Sequence, residues 1–273
     1  MTKIKLSVLS EHRKGDNACD TEVGLSLYFE INSNKFLFDT GASDLFIKNA
    51  KVLGINLDEV KIVALSHGHW DHGNGLRHLE NKTIVLHPES FVDRYSVIPS
   101  RAMQYAGLNQ KLDEISSKSR VIQTREPYEL FENVYYLGQI PRTIDFEGDG
   151  NLSTILNLHT KEIDHVLDDS GIVIKTDNGI IITSGCAHSG ICNTIEYSKK
   201  VVNDNRILAV IGGFHLREMD ERAIKTLNYF SLNNIQALYM GHCNSHKIME
   251  EFEKQLYGKT TVKRLFSGAE FEI

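Results

Sequence analysis

Residues 65–75 read Leu-Ser-His-Gly-His-Trp-Asp-His-Gly-Asn-Gly, which sets His67, His69, Asp71 and His72 within six positions directly behind an apolar run. No other feature limits the chemistry of the chain so tightly. Neutral imidazoles crowd together chiefly to ligate a metal ion, and a neighbouring carboxylate adds the oxygen donor that such sites accept. Gly68, Gly73 and Gly75 let the backbone turn sharply enough to aim several side chains at one centre. Residues 61–65 have the apolar continuity of a buried strand, so the packet is expected on a strand-end loop.

The chain holds 12 His, and six of them follow expected strands in glycine-rich loops. Beyond the packet these are His188 in Ser-Gly-Cys-Ala-His-Ser-Gly, His215 in Gly-Gly-Phe-His-Leu and His242 in Met-Gly-His-Cys. Each precedes an expected helix, at the carboxyl edge where layered α/β proteins place their sites. A single His there ordinarily caps a helix or satisfies the core. Three recurrences behind the packet point instead to convergent donors. His12, His78, His87, His159, His165 and His246 lack such context and are expected at the surface or in the core. Cys186 and Cys243 lie within two residues of candidate donors, so thiolate ligation is conceivable, but buried packing is the better reading of a free Cys.

Around these loops the order is strands first, then alternation. Strands are expected at 4–9, 24–31 and 35–38, with the turn Asn32-Ser33-Asn34 between the last two. Ser43-Asp44 is expected to cap a helix over 45–53 that Gly54 ends, and Asp58 to sit in a turn. Further strands are expected at 61–65 and 83–86. From Ser90 to about Gly150 the pattern loosens, with 134–137 the one clear strand, and the stretch reads as an inserted cap. A hairpin follows (171–175 and 179–183 about Asp177-Asn178-Gly179). Helices at 191–202, 218–230 and 246–257 then alternate with strands at 206–211 and 235–239. That is one layered α/β chain over residues 1–273 with mixed sheets.

Composition removes competing classes. At 273 residues, 41% hydrophobic and 24% charged, this is an ordinary globular chain with enough length for a sizeable core. The formal charge of −6 argues against a nucleic-acid partner, which would need a basic footprint. The run Lys254, Lys259, Lys263 and Arg264 is accounted for by a solvated face. Apolar stretches such as 207–211 fall far short of the roughly 18 residues that span a bilayer. The first residues lack the apolar core of a secretory signal, and 4 Cys without framework spacing fit reduced thiols. A cytoplasmic location with no membrane partner is the expectation.

His-x-His-x-Asp-His after a strand, with Phe38-Asp39-Thr40-Gly41 before it and His188 and His242 after it, resembles the metallo-β-lactamase superfamily. The flanking words Glu22-Val23-Gly24-Leu25-Ser26, Ser184-Gly185-Cys186-Ala187-His188-Ser189-Gly190-Ile191 and Gly241-His242-Cys243 are similar to one branch. That branch holds the dihydropterin–ribofuranosylaminobenzene-phosphate synthases of methanopterin biosynthesis and bacterial relatives known as metal-dependent hydrolases. The resemblance implies an αββα sandwich of two mixed sheets flanked by helices, with a metal pair at the sheet edge. It implies His67, His69 and His188 as ligands of a first metal, and Asp71, His72 and His242 as ligands of a second. Asp39 is implied as the carboxylate that holds the His loop. Where most members carry a bridging Asp or Cys this chain has His215, which leaves metal and substrate both open as its partner.

The expected activity is hydrolysis of an ester or phosphate-type small molecule, with Asp71 orienting the nucleophile and Zn2+ in two sites. Mn2+ or Fe2+ would accept the same imidazole and carboxylate donors. Trp70 is a candidate pocket wall, with simple packing as its equal, and Arg142 a candidate phosphate grip against a plain surface role. A transferase of the synthase type, releasing pyrophosphate, is the alternative; Tyr95, Arg101, Tyr105 and Arg142 would then supply an aromatic slot and phosphate contacts. A catalytically silent binding module is a third reading, against which the complete donor set counts.

Overall fold

The computed structural model describes residues 3–97, 102–147 and 155–273. In the first large sheet, β1 (Ile4–Ser10), β2 (Ser26–Ile31) and β3 (Asn34–Phe38) form an antiparallel meander. The sheet continues in parallel through β4 (Ile62–Ala64) and β5 (Thr83–Leu86). α1 (Leu45–Val52) connects β3 to β4. The short α2 (Trp70–Gly73) carries the end of the His packet.

The loosely patterned stretch departs from its expected role as a cap. β6 (Arg94–Ser96) and β7 (Gln104–Tyr105) do stand outside the large sheets and pair with β11 (Ile155–Asn157) in a small three-stranded one. After α3 (Leu112–Ser116), however, β8 (Arg120–Gln123) becomes the parallel edge of the first sheet. β9 (Tyr128–Phe131) and β10 (Val134–Tyr136) then enter the second sheet. No residue of β8 is fully buried, so edge placement erases the apolar signature that would have revealed it. The end of the stretch at Gly150, like Arg101, lies outside the described residues.

The second sheet continues through the hairpin β12 (Gly171–Thr176) and β13 (Gly179–Ser184). It finishes in parallel with β14 (Ile207–Gly212), β15 (Ala237–Met240) and β16 (Thr261–Arg264). α4 (Ile191–Val202), α5 (Glu221–Leu232) and α6 (His246–Gln255) make the crossovers, and β17 (Glu270–Glu272) returns to pair with β1 on the first sheet. No strand was expected beyond residue 257; both late strands are short and largely polar. Lys263 on β16 is more than a solvated charge, because its ammonium lies over the rings of Tyr239 and Phe271.

Side-chain alternation explains the layers. Ile181, Ala209 and Ile211 meet Leu27, Phe29 and Phe36 between the sheets, while Ile180, Ile182 and Val210 pack against the α4, α5 and α6 layer. Tyr28, Leu37 and Val63 point the other way, beneath α1. Strands such as β13 are therefore apolar throughout, since both faces are covered. The result is the expected αββα sandwich. One cap differs in detail: Ser43 Oγ accepts from the Leu45 N–H at 3.1 Å, whereas Asp44 at the N-cap position pairs with Lys48 at 2.8 Å.

α4 starts without a side-chain cap of its own, because its N-cap is Gly190 at φ 94°. Glu147 caps it from elsewhere in the chain: Oε2 accepts the Asn193 N–H at 2.8 Å and would lie 2.1 Å from a Cβ at position 190. Burial raises the Glu147 carboxyl above its ordinary value of 4.5, and the N–H donors only partly offset this. A raised folded pKa means a stability contribution complete below pH 4.5 and lost as pH rises through the folded value. Glu147→Gln is expected to flatten that slope, gaining on the parent as pH rises to neutrality in denaturant titrations. A stability difference independent of pH would reject the assignment.

Candidate metal centre

The candidate donors all stand just past the carboxyl ends of parallel strands. Asp39 follows β3, residues 66–72 follow β4, His188 follows β13, His215 follows β14 and His242 follows β15. Parallel pairing aligns those ends, so loops far apart in sequence open onto one edge of the sandwich. Asp39, Ala187, His215 and His242 all have φ between 52° and 62°, a left-handed conformation that non-glycine residues adopt at some cost.

Two donor sets form there. His67, His69 and His188 place one ligand atom each within 4.8 Å of one another, and Asp71, His72 and His242 do the same. In the first set His67 Nε2 lies 2.9 Å from His69 Nδ1, and in the second His72 Nε2 lies 2.9 Å from His242 Nε2. The sets adjoin, with the His67 and His72 ring centroids 4.2 Å apart. Among the described residues, buried His69 Nε2 and His188 Nε2 have no hydrogen-bond partner. Imidazole nitrogens aimed at each other in a buried edge suit a shared cation better than they suit each other.

The electrostatics agree. Burial, reinforced by neighbouring imidazoles or by Arg94, holds His67, His69, His188 and His242 well below their ordinary pKa, so their lone pairs are free at neutral pH. His72 is the exception. Burial pushes it down, but the Asp39 and Asp71 carboxylates outweigh burial and lift it to about 9. A positive charge is thus favoured where the second set converges.

Asp39 organises the packet. Its Oδ1 accepts the Ser66 N–H, and its Oδ2 faces both Ser66 Oγ and His72 Nδ1, each at 2.7 Å. That contact assigns the Nδ1 proton to the Asp39 side and leaves Nε2 toward the site. Gly185 is required beside it, for a Cβ there would lie 2.2 Å from Ser66 Oγ.

Several supporting residues carried little local signal. Arg94, 1% exposed, joins Asp164 at 3.0 Å and Asp168 at 2.9 Å. The second oxygen of Asp168 accepts the Gly68 N–H at 2.6 Å, inside the His packet. Asp169 Oδ2 accepts the Ser189 N–H at 2.8 Å and so braces the His188 loop; burial raises its carboxyl to about 6. Buried Glu11 accepts the His242 N–H at 3.1 Å and pairs with Arg13. The adjacent acids 168–169, just before a strand, were the one sequence signal available.

His215 sits beside the sets, its ring centroid 4.8 Å from that of His188, and its backbone N–H donates to Cys243 Sγ at 3.2 Å. Trp70 is half-buried at the start of α2, and its backbone N–H donates to the Ala106 carbonyl. Arg142 is half-buried and donates to the His165 carbonyl. Tyr95 and Tyr105 pack edge to face, and the Tyr105 hydroxyl donates to Asp93 at 2.7 Å.

The profile of the metallo-β-lactamase superfamily matches residues 20–199. The chain belongs to the metallo-β-lactamase superfamily. It is 34% identical, over 92% of each chain, to the 7,8-dihydropterin-6-methyl-4-(β-D-ribofuranosyl)-aminobenzene-5'-phosphate synthase of Methanocaldococcus jannaschii. A crystal structure described as a metal-dependent hydrolase of the β-lactamase superfamily has a TM-score of 0.85 at 27% identity, covering 99% of each chain. YhfI of Bacillus subtilis, a metallo-β-lactamase fold protein, has a TM-score of 0.61 at 10% identity over the whole of both chains, which is a likeness of fold alone. Membership in the superfamily implies divalent-metal binding and, with an enzyme among the relatives, makes this chain an enzyme. Among the described residues no helix is long and apolar enough to cross a membrane.

Proposed function

We propose that this enzyme is a metal-dependent hydrolase of a small phosphorylated or ester substrate. The carrying observation is the pair of adjoining donor sets, His67–His69–His188 and Asp71–His72–His242, at one sheet edge. Divalent cations bound there would supply Lewis-acid activation of water and charge stabilisation at the attacked centre. Zn2+ suits the imidazole-rich first set, and Mn2+ or Fe2+ are the alternatives.

The protein's own part is positional. Asp39 keeps His72 in the tautomer that offers Nε2, and Ser66 Oγ contacts His67 Nδ1 at 2.8 Å to orient that ring. Asp71, with an oxygen 3.6 Å from His242 Nε2, would orient the attacking water. Arg142 is the candidate phosphate contact and Trp70 the candidate wall of the pocket. The substrate is a small molecule rather than nucleic acid, in keeping with the charge of −6.

A second reading has its own support. The 34% identity to a synthase extends over 92% of each chain, so transfer with pyrophosphate as leaving group draws on the same donors. Assaying the metal-loaded enzyme on a dihydropterin diphosphate, with and without a ribofuranosylaminobenzene phosphate, separates the two. Pyrophosphate release that needs the aminobenzene partner makes the enzyme a transferase. Cleavage of this or simpler phosphoesters in water alone supports the hydrolase.

Elemental analysis beside His215→Ala tests the remaining donor. The expected result is about two ions per chain falling to about one, as for a ligand in a dinuclear site. An unchanged count assigns His215 to the substrate pocket.

A further inference from the structure

Cys186 stands at the seam of the two donor sets, grouped with one histidine from each. Its sulfur is within 4.8 Å of ligand atoms of His67, from the first set, and His72, from the second. It lies 3.3 Å from His72 Nε2. The same sulfur also groups within 4.8 Å with His215 and the Cys243 sulfur. We propose that Cys186 is a bridging thiolate ligand shared by the two metal positions, with Cys243 as a second sulfur on its far side. This rests on the two-metal reading above.

Charge gives the first reason. The first set is three neutral imidazoles, and the second brings one carboxylate, Asp71, with Asp39 hydrogen-bonded behind His72. Two dications this deep in the protein need more negative charge than those two acids carry. Nearby Asp168 and Glu11 are engaged by Arg94 and Arg13. A Cys186 thiolate between the sets, with Cys243 behind it, would supply the rest. On binding, a cation takes the thiol sulfur as thiolate and its proton passes to solvent, with no change of oxidation state.

Packing gives the second. Cys186 is 4% exposed and faces imidazoles rather than the aliphatic interior that an inert Cys prefers. Gly213 makes room for the sulfurs, since a Cβ there would meet Cys243 Sγ at 2.6 Å and Cys186 Cα at 3.4 Å. The consequence is selectivity: sulfur donors favour zinc, iron or cadmium over manganese or magnesium.

The test loads reduced protein with Co2+ alone and reads cobalt per chain beside the thiolate-to-cobalt absorption. The expected result is about two cobalt per chain with a strong band. Cys186→Ser should remove most of that band and weaken cobalt binding at least about tenfold. Cys192→Ser, altering a buried thiol within α4, should leave both unchanged. Two cobalt without the band, or a band that Cys186→Ser leaves intact, overturns the bridge and spares the two-metal reading. Fewer than two cobalt in the parent protein overturns that reading and the bridge with it. Should Cys186→Ser fail to fold by circular dichroism, cadmium NMR of the unaltered protein decides. Two sulfur-shifted, mutually coupled resonances support a shared thiolate, and any other pattern rejects it.

Discussion

Replacing His188 with alanine is expected to remove one bound metal ion per chain and to lower turnover about a thousandfold or more while the fold survives. Survival follows from how the loop is held. The backbone beside His188 is fixed by the Ser189 N–H on Asp169, and α4 behind it by Glu147, and neither contact uses the imidazole. The turnover loss follows from the loss of several kcal/mol of Lewis-acid stabilisation, at about 1.4 kcal/mol per factor of ten. His69→Ala should behave alike, because His67, His69 and His188 form one donor set. Elemental analysis with a thermal melt and a steady-state assay checks the pair. Full metal content with normal turnover in either variant would sink the ligand assignment.

Asp168→Ala carries the largest expected cost in stability. Arg94 would keep Asp164 but lose its 2.9 Å partner at a site that is 1% exposed. Removing one member of a buried charge pair costs about 3–5 kcal/mol, because the remaining charge is left undercompensated. The Gly68 N–H loses its acceptor in the same change, so metal affinity should fall by about ten- to a hundredfold as the His packet loosens. Lys48→Ala, which breaks only the exposed pair with Asp44, should leave stability nearly unchanged, because water screens that pair. Denaturant titration of the two variants side by side measures the contrast. An Asp168→Ala loss as small as that of Lys48→Ala would show that Arg94 is satisfied without it.

The comparison of Arg94 with the His packet shows which features a sequence exposes. The packet is legible because His67, His69, Asp71 and His72 are near neighbours whose chemistry is unusual at that density. Strands β12, β13 and β14 are legible because burial on both faces makes them apolar throughout. β8 and β9 were hidden because strands at sheet edges tolerate polar residues. Arg94 gave no warning, since its partners Asp164 and Asp168 lie about 70 residues further along and nothing in an isolated Arg announces burial. Cys186 is buried as expected, but its neighbours in sequence say nothing of the His72 imidazole 3.3 Å from its sulfur.

Local sequence therefore determined the donor types, the strand-end loops that carry them and the layered α/β class, all of which depend on residues within a few positions of one another. Tertiary structure alone decided that two donor sets adjoin, that one sulfur reaches both, and that Arg94 and Asp168 brace the loop between them. Those depend on which strands lie side by side. Strand order is set by packing across the whole sandwich, and no local stretch of sequence encodes it.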